Sequence, residues 1–190
     1  QGVAAGDALT IMPAMIRHRR SIPAASFAFV LLAALSVAQP SLAQGVKRLG
    51  DYGAWSAYQF TEKGKPACYI ASQPKKAEGK YKKRGDVYAI VTHRPAEKRR
   101  DEVSILAGYA YEKDSWVEVT IGKETFKLFT QDDGAWAPDP ASDKKLVKAM
   151  IKGSKMVAVG TSSRGTKTKD TYSLSGFTKA YKAIDKACGK

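Results

Sequence analysis

The sequence contains no asparagine. Asn-linked glycosylation is therefore excluded, and turns have to be built from Gly, Asp, Ser and Pro. Histidine is nearly as scarce, with only His18 and His93 in 190 residues. A Ser–His–Asp arrangement could form only around His93, which ends a predicted strand beside Arg94 and Pro95. Gly-x-Ser-x-Gly, His-Glu-x-x-His, phosphate-loop and dinucleotide signatures are all missing, so no catalytic residue, metal or cofactor is expected. Acidic side chains are outnumbered 18 to 32 by Lys and Arg, a formal net charge of +14. That balance favours anionic partners and says nothing of fold.

Long apolar runs are absent except for one, Ala24–Val37, which is too short for a confident membrane span. It follows the basic Arg17-His-Arg-Arg20 and precedes Ser41-Leu-Ala43, the order of a secretory signal. Residues 1–43 are read as that signal and its upstream residues, with cleavage after Ala43; residues 44–190 are read as a single β-rich mature domain with no membrane span. Removing Arg17, Arg19, Arg20 and Asp7 leaves 29 basic and 17 acidic side chains, a net charge of +12.

Cysteine is limited to Cys68 and Cys188. In an exported chain two thiols usually pair. A metal site would want more ligands, and no Cys-x-x-Cys is present for redox catalysis. The expected disulfide would tie the C-terminal segment to an early strand.

What is there reads mainly as strand. Asp86–Arg94 and Glu102–Tyr109, rich in β-branched and aromatic residues, form the expected middle of a sheet, joined by the polar Pro95–Asp101. Trp55–Phe60, Ala67–Gln73, Trp116–Ile121, Glu124–Gln131, Lys155–Gly160 and Thr168–Leu174 read as further strands, with Gly122-Lys123 as a tight hairpin turn. Gln44–Gly50 reads as a basic lead, Pro74–Gly85 as a solvated loop and Asp132–Pro140 as an acidic loop. Ala141–Lys152 predicts a helix, capped by Asp139 or Ser142, with an apolar stripe of Leu146, Val147, Met150 and Ile151. Phe177–Cys188 predicts a second. The expected fold is an antiparallel β-sandwich or barrel-like arrangement of about eight strands with two short helices and one disulfide.

Binding is expected on loops held by that scaffold. The candidate surface is Lys80, Lys82, Lys83 and Arg84 on one loop, Lys98, Arg99 and Arg100 on another, with Trp136 and with Arg164 in the Ser162–Gly165 turn. Nucleic acid is an unsuitable partner because no recognised module accompanies the cations. Anionic glycans, lipid headgroups or envelope proteins fit better, with peripheral membrane contact. Arg84-Gly85-Asp86 spells a tripeptide read by some cell-surface receptors, but Asp86 begins a strand, which restricts its presentation. Asp132, Asp133, Asp139 and Asp143 lack calcium-loop spacing and read as caps and turns. The alternatives are a periplasmic enzyme around His93 and a periplasmic stress or assembly factor.

Several segments together resemble the invasion-associated locus B family of alphaproteobacteria. They are Cys68-Tyr-Ile-Ala-Ser-Gln-Pro-Lys75, Arg84-Gly-Asp-Val-Tyr88, Val91-Thr-His-Arg-Pro95, Phe129-Thr-Gln-Asp-Asp-Gly-Ala-Trp-Ala-Pro138, Gly160-Thr-Ser-Ser-Arg-Gly-Thr166 and Asp170-Thr-Tyr-Ser-Leu174. The resemblance spans nearly all of Tyr52–Cys188. It implies a small exported β-rich protein, periplasmic or outer-surface associated, in a Gram-negative bacterium, with the two cysteines as a structural bridge. In pathogenic relatives the family is linked to entry into host red cells; free-living bacteria carry relatives too. The family has no established catalytic residues to carry over.

Overall fold

The computed structural model describes residues 45–189. The expected signal and cleavage site lie outside the described residues. Strands β1 (Lys47–Tyr52), β2 (Trp55–Glu62), β3 (Lys65–Ser72), β4 (Lys76–Gly79) and β5 (Tyr88–Arg94) come first. A 3-10 turn, Pro95–Glu97, leads to β6 (Arg99–Leu106), β7 (Trp116–Ile121), β8 (Glu124–Gln131) and β9 (Gly134–Trp136). Helix α1 (Pro140–Lys152), β10 (Lys155–Thr161), β11 (Lys167–Ser173) and helix α2 (Phe177–Cys188) complete the order.

All eleven strands join one antiparallel sheet, in the order β1-β2-β3-β5-β6-β9-β8-β7-β10-β11-β4. The count exceeds the expected eight because β1, β4 and β9 are short or charged. By sequence they read as lead, solvated loop and acidic loop; β1 pairs with the adjacent β2, β9 with β8 and β6, and β4 with the distant β11. The expected connection Pro95–Asp101 is also shorter, since the 3-10 turn ends in Lys98 at φ 55° and β6 starts at Arg99. With no asparagine available, Lys63, Lys98, Asp101, Asp114 and Asp132 occupy the left-handed positions outside glycine.

The sheet coils, and one short link requires it. Only Gln73–Lys75 separates β3 from β4, yet β4 is the far edge strand. Such a link spans roughly 14 Å at most, so the two ends of the sheet must meet. At the seam Lys75 N donates to Thr171 O (2.8 Å), Ala54 N to Ser175 O (3.0 Å) and Trp55 Nε1 to Ser173 O (2.9 Å). Gly176 closes the seam at φ 88°, where a Cβ would stand 1.7 Å from Tyr52 O; only glycine fits.

Alternation of side chains along each strand fills the interior. Trp55, Ile70, Val91, Val103, Ile105, Val117, Val119, Leu128, Met156 and Tyr172 are buried there. Each fully buried large apolar side chain contributes about 1.5–3 kcal/mol. Helix α1 packs on β6 and β8 through Leu146, Val147 and Met150, while Ile151 is exposed. Asp139 caps it, its carboxylate accepting from Ser142 N at 2.8 Å. Helix α2 packs on β1, β2, β3 and β5, with Phe177 edge-on to Trp55 at 4.9 Å. Cys188 at its last turn is bonded to Cys68 in β3, 120 residues earlier, with Cα atoms 6.0 Å apart.

Candidate functional site

His93 is fully buried and stands directly across from Cys68 on β3. Its strand is internal to the sheet, because β5 lies between β3 and β6. Its Nδ1 accepts from Asp101 N at 3.1 Å, which places the proton of the neutral ring on Nε2. Nε2 faces Asp185 Oδ1 at 3.3 Å without hydrogen-bond alignment, while Arg100 donates to that same oxygen at 2.5 Å and to Gly189 O. Burial first, then the Arg100 charge, lowers the imidazole pKa below its ordinary value against the opposing Asp101 and Asp185. The His93 ring stands edge-on to Tyr181 at 5.3 Å and faces Asp185, so it packs β5 against α2. Among the described residues no cluster of three or more His, Cys, Asp or Glu could hold a metal ion.

Arg84 is not a surface cation. Its side chain is 5% exposed and that of Asp170 is 4% exposed. The guanidinium donates to both Asp170 oxygens at 2.7 and 2.6 Å, to Ala107 O at 2.6 Å, and lies over the Tyr109 ring at 4.9 Å. Burial acts to lower its pKa, but bonding to Asp170 outweighs this and the group ends above its ordinary value. Beside it Gly85 N donates to Gly108 O, and Gly108, at φ 69°, admits no Cβ because Gly85 O would lie 2.5 Å away. The Arg-Gly-Asp tripeptide thus has its arginine inside the protein and cannot be offered whole to a receptor.

This anchor carries the exposed Lys80, Lys82 and Lys83 on its loop. Gly79 pairs with Thr168, so the loop begins next to the start of β11 and the turn that bears the exposed Arg164. Among the described residues none of these four cations forms an ion pair. They make one positive pole, which the exposed Lys167 and Lys169 extend.

Lys98, Arg99 and Arg100 lie at the opposite end of β5, about 23 Å away along a seven-residue strand. The expected single basic surface is therefore two. Arg99 bonds Glu102 and Arg100 bonds Asp185, so only Lys98 of the three is left without a carboxylate. These residues border a cleft of about 390 Å³ floored by Phe129, Trp136, Pro138 and Pro140, with Asp139 and Asp143 at the start of α1. Asp143 Oδ1 accepts from Val103 N at 2.8 Å, docking α1 on β6. Burial above all pushes its carboxyl pKa up to about 6, against the pull of that N–H.

A family model described as invasion associated locus B (IalB) protein matches residues 55–185. The chain belongs to this family. A crystal structure of invasion associated protein B from Bartonella henselae is similar in fold, with a TM-score of 0.53 and 18% identity, covering 73% of this chain and 95% of that one. No curated protein matches. In this IalB-family chain the matched region begins at Trp55 and ends at Asp185, enclosing the sheet core, Arg84, Asp170 and His93.

Sequence reasoning missed the pairing of Arg84 with Asp170 and the role of Asp143. Arg84 reads by sequence as a loop cation and Asp143 as a cap or turn residue, and only β4–β11 pairing and α1 docking bring their partners to them. It also missed the exposed aromatics Trp116 and Phe129. Their signal was present: each alternates with an apolar neighbour that goes into the core, Val117 beside Trp116 and Leu128 beside Phe129.

Proposed function

We propose that this IalB-family chain is an exported, non-enzymatic envelope or surface protein that docks on anionic surface components through its positive pole. The observation that carries the reading is that Lys80, Lys82, Lys83 and Arg164 stand exposed and unpaired on segments fixed by the buried Arg84–Asp170 bond. A rigid, preorganised cluster loses less conformational freedom on binding than a loose loop does. Export accords with the Cys68–Cys188 disulfide and with the absence, among the described residues, of a helix long and apolar enough to cross a membrane. The family description and the invasion associated Bartonella henselae neighbour accord with a surface role in host-cell contact.

Co-sedimentation with vesicles containing an anionic phospholipid, and retention on heparin, test the reading. Each lysine near an anionic surface is worth about 1 kcal/mol, so K80Q/K82Q/K83Q should weaken vesicle partitioning about a hundredfold. The same charge change on helix α1, K144Q/K145Q/K148Q, should leave it within a few-fold. No retention at low salt, or equal loss from both variants, would remove the proposal.

A further inference from the structure

The second surface has a different chemistry. Trp116 pairs directly with Phe129, and Phe129 with Trp136, across β7, β8 and β9. Direct register places all three side chains on one face. Their chain neighbours Val117, Leu128 and Ala135 point into the core, so the three rings face outward. Trp116 is 53% exposed and Phe129 37%. Phe129 and Trp136 rings are 6.0 Å apart at 33°, and the 390 Å³ cleft opens beside them. The row covers two strand intervals, about 10 Å. An exposed apolar strip of this kind on a charged protein marks an interaction site.

The surroundings narrow the occupant. Within the cleft Arg99 is bonded to Glu102, Arg100 to Asp185, and both Asp139 oxygens to Ser142. The lining as a whole holds three cations, Lys98, Arg99 and Arg100, and three carboxylates, Glu102, Asp139 and Asp143, so little net field reaches a ligand, unlike at the lysine pole. What remains for a ligand is hydrogen bonding from the Lys98 amine and the Gln131 amide, both lining the cleft. Among the described residues Nε1 of Trp55 bonds Ser173 O, whereas Nε1 of Trp116 and of Trp136 has no such protein acceptor. An outward aromatic row flanked by balanced charges and open donors suits a ligand with apolar faces and polar edges. Pyranose rings have that shape: their C–H faces stack on aromatic rings and their hydroxyls bond sideways.

We propose that the Trp116–Phe129–Trp136 row, with its adjoining cleft, is a binding site for an uncharged, hydroxyl-rich glycan chain about two sugar rings long. It is separate from the lysine pole and does not depend on it.

Two of the chain's three tryptophans lie in the row and the third, Trp55, is buried, so intrinsic fluorescence reports on it. The probes are cello-, malto- and chitohexaose, titrated into the disulfide-bonded protein. At least one should shift the emission saturably, with little dependence on salt. Truncation of a stacked aromatic anchor commonly costs more than 1 kcal/mol, so W116A and F129A should each weaken binding about tenfold. W116F should recover part of it, and K80Q/K82Q/K83Q should leave it unchanged. Trp116 and Phe129 are exposed, so an unaltered melting transition separates lost binding from lost fold. No saturable shift with any of the three, or dimerisation that W116A abolishes without any sugar effect, would overturn the proposal.

Discussion

Breaking the Arg84–Asp170 pair one side at a time should cost more than removing it whole. Each side chain is about 5% exposed and each is the other's ionic partner. Truncating one leaves an uncompensated buried charge, a loss of about 3–5 kcal/mol. Arg84→Met also strips Ala107 O of a 2.6 Å bond and Tyr109 of its overlying cation, so it should stand at the upper end of that range. Asp170→Leu should fall lower. The double variant removes both charges and leaves chiefly the Ala107 carbonyl without a donor, about 1–3 kcal/mol. Urea denaturation of wild type, both singles and the double forms a cycle whose coupling energy should be several kcal/mol. At about 3 °C per kcal/mol for a domain of this size, each single should lower Tm by roughly 10–15 °C. If the double variant loses the sum of the two singles, the pair is not coupled and the anchoring argument fails.

The disulfide closes a long loop, so Cys188→Ser should cost up to about 5 kcal/mol by denaturant titration under non-reducing conditions. Asp143 has a folded pKa of about 6 against about 3.9 unfolded, so the native state binds more protons between those values. Its contribution is greatest below pH 4 and is lost as pH rises through 6. Asp143→Asn, which keeps an acceptor for Val103 N–H, should gain about 2–3 kcal/mol at pH 7 and flatten that decline. His93 has the opposite sign: its folded pKa is depressed, so stability is full above about pH 6.5 and falls as the unfolded chain takes up the proton. In D143N protein, stability should drop steadily from pH 6.5 toward 5, and H93Q/D143N should lose that slope.

The strands that could be read from the sequence were those whose own residues alternate, such as Trp116–Ile121 and Lys155–Gly160. Both helices were legible for the same reason, since Phe177, Ala180, Ile184 and Cys188 recur on one face. Lys76–Gly79 was not, because nothing in Lys-Ala-Glu-Gly signals a strand and its partner, β11, lies ninety residues on. Of the candidate site, the exposure of Lys80, Lys82 and Lys83 followed from composition and loop position. The burial of Arg84 did not: a guanidinium goes inside only when a carboxylate and a carbonyl are already there, and both are supplied by distant segments. The separation of the two basic loops likewise depends on β5 running between them, a matter of topology that composition does not carry.

The crossing from β3 to β4 also bears on how the chain matures. Any fragment that stops before Lys167 leaves Lys76–Gly79 with nothing to pair against, the Lys80–Arg84 anchor without its aspartate, and Cys68 without a mate. The first half of the protein therefore cannot lock ahead of the second. Truncation from the C-terminus should fail as a whole, not strip off in layers, and a nascent chain must be kept from aggregating until its last thirty residues have arrived.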